Sequence, residues 1–287
     1  LGDIYVISQE KVRNPQLVHQ HQAIIRAGGL GSAPALTKAV SRSPAMIQYL
    51  DLGQSQRGAP NENFARELFE LFVLGEGNYT EKDIKEAARA FTGWSIETET
   101  GEFLFRRPAH DEGVKTLLGR SGNFDGDAVL DILLAQPQTA EFVVGKLWRE
   151  FVSPQVDAVE VKRIARMFRD NRYNIRVALR ALLTSDAFYA PQNRAVLIKS
   201  PVDLIVGTLR QFRFETGEVA PFLLAARQLG QDMFAPPNVK GWPGGDAWIN
   251  SATLLSRKQF LERLFRAQEM RPAAAPLPAD APARERF

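Results

Sequence analysis

Apolar residues recur at three- and four-residue intervals along most of the chain, and each break in that rhythm marks a boundary. From Asn61 onward, Phe64, Leu68, Leu71 and Phe72 share one stripe that stops at Gly75. The pattern predicts a helix with Asn61 as its amino-terminal cap and a glycine at its end. Thr80 and Asp83 then form an acidic variant of the capping box ahead of Ile84, Ala87, Ala88 and Phe91. An antiparallel helix pair joined by the short GEGNY turn follows from these signals.

Residues 94–117 lose the helical period. Ile96, Phe103 and Phe105 alternate around Thr100-Gly101, which reads as a β-hairpin, with a third short strand expected at 114–117. Asp125 or Gly126 restarts the helical pattern, Pro137 sits where a first-turn proline belongs, and Phe142, Val143, Leu147 and Phe151 line one stripe. Further helices are expected at about 157–170, 174–184, 201–213, 220–229 and 251–268, Ser200-Pro201 being a clean start signal. The predicted fold is mainly α, a multi-helical array of antiparallel helix pairs with a small β-hairpin insertion around 94–117. One domain is expected over 1–270, followed by a Pro/Ala-rich tail at 271–287 whose composition predicts disorder. No internal repeat at a fixed period is found.

Composition narrows the function classes. With 287 residues, 45% of them apolar and 24% charged, the chain reads as an ordinary soluble globular protein with a substantial core. The net charge of +3 comes from 36 basic and 33 acidic residues that are interleaved rather than blocked, which argues against a nucleic-acid surface. With no cysteine, any metal must take oxygen or imidazole ligands. Charges interrupt every hydrophobic run before it reaches the roughly 18 to 20 residues of a membrane span, so none is expected. The chain starts at Leu1 without a Met or a signal segment, and the expectation is a processed, truncated or incomplete product.

Four blocks carry a family resemblance. They are GAPNENFARELFELFVLGEGNYTEKDIKEAARAFTGW (58–94), HDEGVKTLLGRSGNFDGDAVLDILL (110–134), FVVGKLWREFV (142–152) and GQDMFAPPNVKGWPGGDAWINSATLLSR (230–257). Together they resemble the bacterial family known as domain of unknown function 1800. The resemblance implies an extracytoplasmic helical protein, periplasmic or extracellular, of unestablished activity. Relatives are typically longer at the N-terminus, and their genes often lie beside those of a family similar to sulfatases and phosphatases. They usually carry a WHNHF-type segment upstream of ISQEKV, where this chain reads LGDIYVISQEKV. If those histidines serve as ligands or bases in relatives, the stretch LGDIYV is not expected to supply them.

The residues themselves offer several chemistries. On the helix after Asn61, the side chains of Asn63, Arg66, Glu67 and Glu70 recur at three- and four-residue spacing and form one polar face. Glu67 and Glu70, one turn apart, suit a divalent cation or a division of acid and base duties. The competing reading is an ion-pair network in which Arg66, or Arg89 from the next helix, neutralises both. His110 and Asp111 follow the predicted hairpin in a turn, where they either join Glu67 or Glu70 as a mixed-ligand metal site or serve as a hydrogen-bonded structural pair. His19 and His21 are two apart and point to different faces of a helix, so a three-histidine zinc site is not expected.

NFDGDAVLD places oxygens at Asn123, Asp125, Asp127 and Asp131, but its glycine is misplaced for an EF-hand, and helix capping by Asp125 explains it more simply. No G-x-S-x-G elbow, Walker loop or dinucleotide fingerprint occurs. The loop from Pro236 to Arg257 remains. There Pro243-Gly244-Gly245 predicts a turn with positive φ, Trp242 and Trp248 supply flat faces, and Lys240 supplies a charge. This set suits a sugar ring or an anion; alternatively both indoles plug gaps between helices while Asn250 or Ser251 caps the last helix.

Two functional readings follow. One is a hydrolase acting on an envelope or extracellular substrate, with Glu67, Glu70, His110 and Asp111 catalytic and a divalent cation held by Glu67, His110 and Asp111. The other is a non-enzymatic envelope or assembly factor that holds a glycan or a partner protein. In both, Asn61, Asn63, Arg66, Arg89, Lys240, Trp242 and Trp248 are the expected ligand-binding residues.

Overall fold

The computed structural model describes residues 4–269, so the tail expected at 271–287 lies outside the described residues. The architecture is mainly α-helical. Four helices precede the first predicted one: α1 (Gln9–Val12), α2 (Pro15–Gly28), α3 (Ala33–Ser41) and α4 (Pro44–Tyr49). Each of α2 to α4 begins with proline in its first turn, where the missing N–H costs nothing.

Helix α5 (Glu62–Glu67) starts at Asn61, whose side chain accepts from the Asn63 N–H, and α6 (Glu81–Ala90) starts at a complete Thr80/Asp83 capping box. Both caps lie where the spacing predicted them. The carboxyl half of the predicted first helix departs from it: at Leu68–Val73 the backbone widens into a π-helical turn, with the N–H groups of Leu74 and Gly75 both donating to the Phe69 carbonyl. The wider turn changes the phase of the stripe, so Phe69 is fully buried while Leu71 is only half-buried.

Strands β1 (Trp94–Ile96) and β2 (Phe103–Phe105) form the predicted antiparallel hairpin, with Trp94 opposite Phe105 and Ile96 opposite Phe103. The strand expected at 114–117 does not extend this sheet. Instead β3 (Lys115–Leu117) pairs with β4 (Arg120–Gly122) in a second hairpin, because Gly119 at φ 76° turns the chain back on itself. Then follow α7 (Gly126–Leu134), α8 (Pro137–Phe151), α9 (Ala158–Asp170), α10 (Ile175–Leu183), α11 (Asp186–Tyr189), α12 (Pro201–Gln211), α13 (Ala220–Gln228) and α14 (Ser251–Glu269). Asp125 caps α7, Ser200 and Asp203 make a second capping box at α12, and Asn250 accepts from the Thr253 N–H at the start of α14.

One large hydrophobic cluster runs from the N-terminal segment through α10. At its centre Phe64, Phe91, Trp94 and Phe103 meet edge to face in a row, with ring centroids 4.9, 5.1 and 5.1 Å apart. Gly126 admits this row, since a Cβ there would stand 2.5 Å from the Trp94 indole. A second, smaller cluster joins α12, α13 and α14 around Ile205, Ala226 and Leu229. The loop that follows α13 returns to the large cluster, where Phe234 and Val239 pack and the Phe234 carbonyl accepts from the Gln9 N–H at 2.8 Å. That return carries Lys240 to the π-helical turn that continues α5.

Candidate functional site

The polar face of α5 stands opposite the stripe that anchors it. Burial of Phe64, Leu68 and Phe69, at about 1.5–3 kcal/mol for each side chain, holds the helix and leaves Asn63, Glu67 and Glu70 facing away from the core. Lys240 reaches across from the returning loop, its Nζ 3.0 Å from Glu70 Oε1 and 3.3 Å from Glu76 Oε1. Asn238 shapes the approach by accepting from the Lys240 N–H at 2.8 Å. The two carboxylates raise the ammonium pKa of Lys240 above its ordinary value.

Glu67 is treated differently. Its carboxylate is half-buried and takes no hydrogen bond among the described residues, and its pKa is raised, first by burial and then by the neighbouring charge of Glu70; Lys240 and Arg66 oppose the shift. Tyr49, at the end of α4, has its phenol pKa raised by burial and by the charge of Glu67. Tyr49 and Asn63 line an open groove of about 610 Å³, walled on the other side by Ser8, Lys11, Pro237 and Asn238. Glu67 stands one helical turn beyond Asn63. Glu70 lies within the π-helical turn, a geometry that recurs at functional sites.

Arg66 and Arg89 do not close this site as the ion-pair reading expected. Arg66 is taken by Glu81, at 2.7 and 2.8 Å, and by Glu62 at 3.2 Å. Arg89 belongs to a separate clamp. Its Nε and Nη2 donate to the two oxygens of Asp111 at 2.8 and 3.1 Å, and its Nη1 donates to Glu86 and to the Val114 carbonyl. Glu86 also accepts from the Thr116 N–H, which ties α6 to β3. Asp111, held down to about 2 chiefly by the Arg89 guanidinium, is a committed anion rather than a proton carrier.

His110 is locked as well. It is buried, with Nδ1 2.9 Å from the Thr92 carbonyl, so that nitrogen carries the proton. Beneath the pair, Lys115 is 1% exposed and donates to the carbonyls of Asp111 and Gly113, and burial lowers its pKa. Every one of these groups is spent on joining α6 to the two hairpins.

The expected single cleft therefore resolves into two places. Glu67, Glu70 and Lys240 come together, with Asn63 and Asn61 on the same helix; Arg89, His110 and Asp111 form a clamp that shares no contact with them. The metal set of Glu67, His110 and Asp111 is not assembled, and among the described residues no three His, Cys, Asp or Glu side chains are grouped to hold a metal ion. The aspartates after Asn123 are spent likewise: Asp125 caps α7, Asp127 pairs with Arg42, and Asp131 pairs with Lys38. His21 is enclosed between Ser43 Oγ and the Tyr5 carbonyl at 3.0 and 2.9 Å.

The glycine turn in the loop takes positive φ at both Gly244 and Gly245, as its sequence predicted. The two indoles divide: Trp248 is 6% exposed and is a core plug, while Trp242 is half-buried beside the turn. Tyr49, Glu76 and the groove residues Ser8 and Lys11 were not found by sequence reasoning. They are joined to α5 only through space, and no local motif announces them.

Fold and site together define a mainly helical protein in which two carboxylates one turn apart are treated differently, Glu70 being ion-paired to Lys240 and Glu67 not. Over residues 1–285 the chain matches the model of the family described as Protein of unknown function (DUF1800), and it belongs to that family. Comparison with curated proteins and with solved structures found no match. Among the described residues no helix is long and apolar enough to cross a membrane.

Proposed function

We propose that the protein is a hydrolase in which Glu67 handles the proton. The observation that carries this reading is the division of labour between Glu67 and Glu70, neighbours one turn apart, of which Glu70 is ion-paired to Lys240 while Glu67 is unbonded, desolvated and raised in pKa. Separating the roles of two carboxylates by environment is how acid–base sites are built. Glu67 takes a proton from the attacking water, whose oxygen bonds to the electrophilic centre of the substrate. It then returns that proton to the leaving oxygen. The Lys240 ammonium stabilises negative charge that develops beside it. The resemblance to secreted relatives supports an envelope or extracellular substrate and a periplasmic or extracellular location.

The test compares wild type with Glu67→Gln on chromogenic carboxylic esters, phosphoesters and glycosides. A general acid–base group contributes about 10²- to 10⁴-fold, and the glutamine variant is expected to lose that much on whichever class wild type turns over. The same variant should melt at a higher temperature at pH 7. A raised carboxylate pKa means that ionised Glu67 opposes folding, a cost absent below the unfolded pKa and growing as pH rises through the folded one. Equal rates in the two proteins, or no turnover of any class by wild type, would sink the proposal.

A second reading is favoured by Trp242, whose partly open indole lies two residues from Lys240. On this reading the same loop holds a glycan ring or a partner of the cell envelope without chemistry. Trp242→Ala would then abolish oligosaccharide binding while Glu67→Gln leaves it unchanged.

A further inference from the structure

Arg257, on α14, is 8% exposed, and no other arginine among the described residues is buried to this degree. Its Nη1 donates to the Lys199 carbonyl at 2.9 Å. Its Nε and Nη2 are buried and find no acceptor among the described residues. These two donors form the edge of the guanidinium that matches the two oxygens of a carboxylate or phosphate. Elsewhere in the protein that fork is satisfied in this manner, as in the Nε and Nη2 contacts of Arg89 with Asp111.

Among the described residues no carboxylate oxygen accepts from either donor. Burial lowers the pKa of Arg257. Lys199, whose carbonyl takes Nη1, lays its own ammonium along α12, 3.7 Å from where a Cβ on Gly207 would stand. At the entry to α12 the Asp203 carboxylate accepts from the Ser200 N–H and hydroxyl, and it takes neither free donor of Arg257. A guanidinium is strongly disfavoured out of water unless an anion and hydrogen bonds compensate it. Phe260 and Leu264 lie three and seven residues further along the same inward stripe of α14, so the surrounding face is apolar and strengthens any charge pairing made there.

We propose that the Nε/Nη2 edge of Arg257 is the receptor for one oxyanion, a carboxylate or a phosphate, bound bidentately at the joint between α14 and the entry to α12. This site stands apart from Glu67 and does not depend on the hydrolase reading. The experiment follows the arginine Nε–H resonances of the full ¹⁵N-labelled chain during titration with inorganic phosphate and, separately, with acetate, at ionic strength held constant with chloride. One resonance, assigned by its loss in Arg257→Lys, is expected to shift saturably. Response to phosphate alone identifies a phosphoryl ligand, and response to both identifies a carboxylate-compatible site. Thermal unfolding provides a second readout, with the probe raising Tm in wild type and not in Arg257→Lys. A resonance unmoved by either probe, or an equal rise in Tm in the variant, overturns the proposal; if Arg257→Lys does not fold, the number of Nε–H resonances that saturate in wild type decides, none being the overturning result.

Discussion

Replacing Arg89 with alanine is expected to lower the unfolding free energy by about 3–5 kcal/mol, because it strands two mostly covered carboxylates. Asp111 and Glu86 have side chains 18% exposed, and both lean on the same guanidinium. With it gone, their repulsion falls on the junction of α6 with the two hairpins. Urea denaturation at pH 7 measures the loss, and a value under about 1 kcal/mol would show that the clamp is no more than a surface pair. The pH dependence offers an independent check. A carboxylate held near 2 instead of its ordinary value contributes about 2 kcal/mol of stability above roughly pH 4, and this is lost as pH falls through about 2. Wild type should show that acid-side decline, and Arg89→Ala should lack its Asp111 component.

The second large effect is expected at Phe64. Truncation to alanine removes a fully buried ring from the edge-to-face row with Phe91 and should cost about 3–5 kcal/mol. The row continues through Trp94 to Phe103, so the site cannot collapse without moving β1 against β2. An alanine at Leu254, which is exposed on α14, should change stability by no more than about 0.5 kcal/mol and serves as the control. If the two substitutions proved equal, Phe64 would not be the anchor of α5. Because Phe64 seats the helix that presents Glu67, a partly folded Phe64→Ala protein should also lose the raised Glu67 pKa, readable by carboxyl-carbon NMR.

Much of this was legible in the chain. The capping roles of Asn61, Thr80 with Asp83, Asp125 and Ser200 were all readable because each cap is a bond between residues two or three positions apart. The polar face of α5 was readable because one helix period fixes which side chains are neighbours. The short strand expected at 114–117 forms at Lys115–Leu117, but alternation indicates a strand without naming its partner, and the turn at Leu118-Gly119 gave it β4. The π-helical turn at Leu68–Val73 was invisible because Leu, Phe and Val suit either helical phase, and packing of Phe69 into the core selected the wider one.

The chemistry was less legible for the same reason. His110-Asp111 looked reactive as a dipeptide, and its neutralisation comes from Arg89 and Thr92, 22 and 18 residues away. By itself, the sequence determined the helical class, the family and the polar face that begins at Asn63, since these depend on composition and short-range spacing. Only the tertiary structure decided which carboxylates are spent and which is left unbonded. Glu70 is claimed by a lysine of the returning loop, and Glu76 by that same lysine 164 residues distant, so the pKa of Glu67 belongs to a neighbourhood that no local pattern encodes.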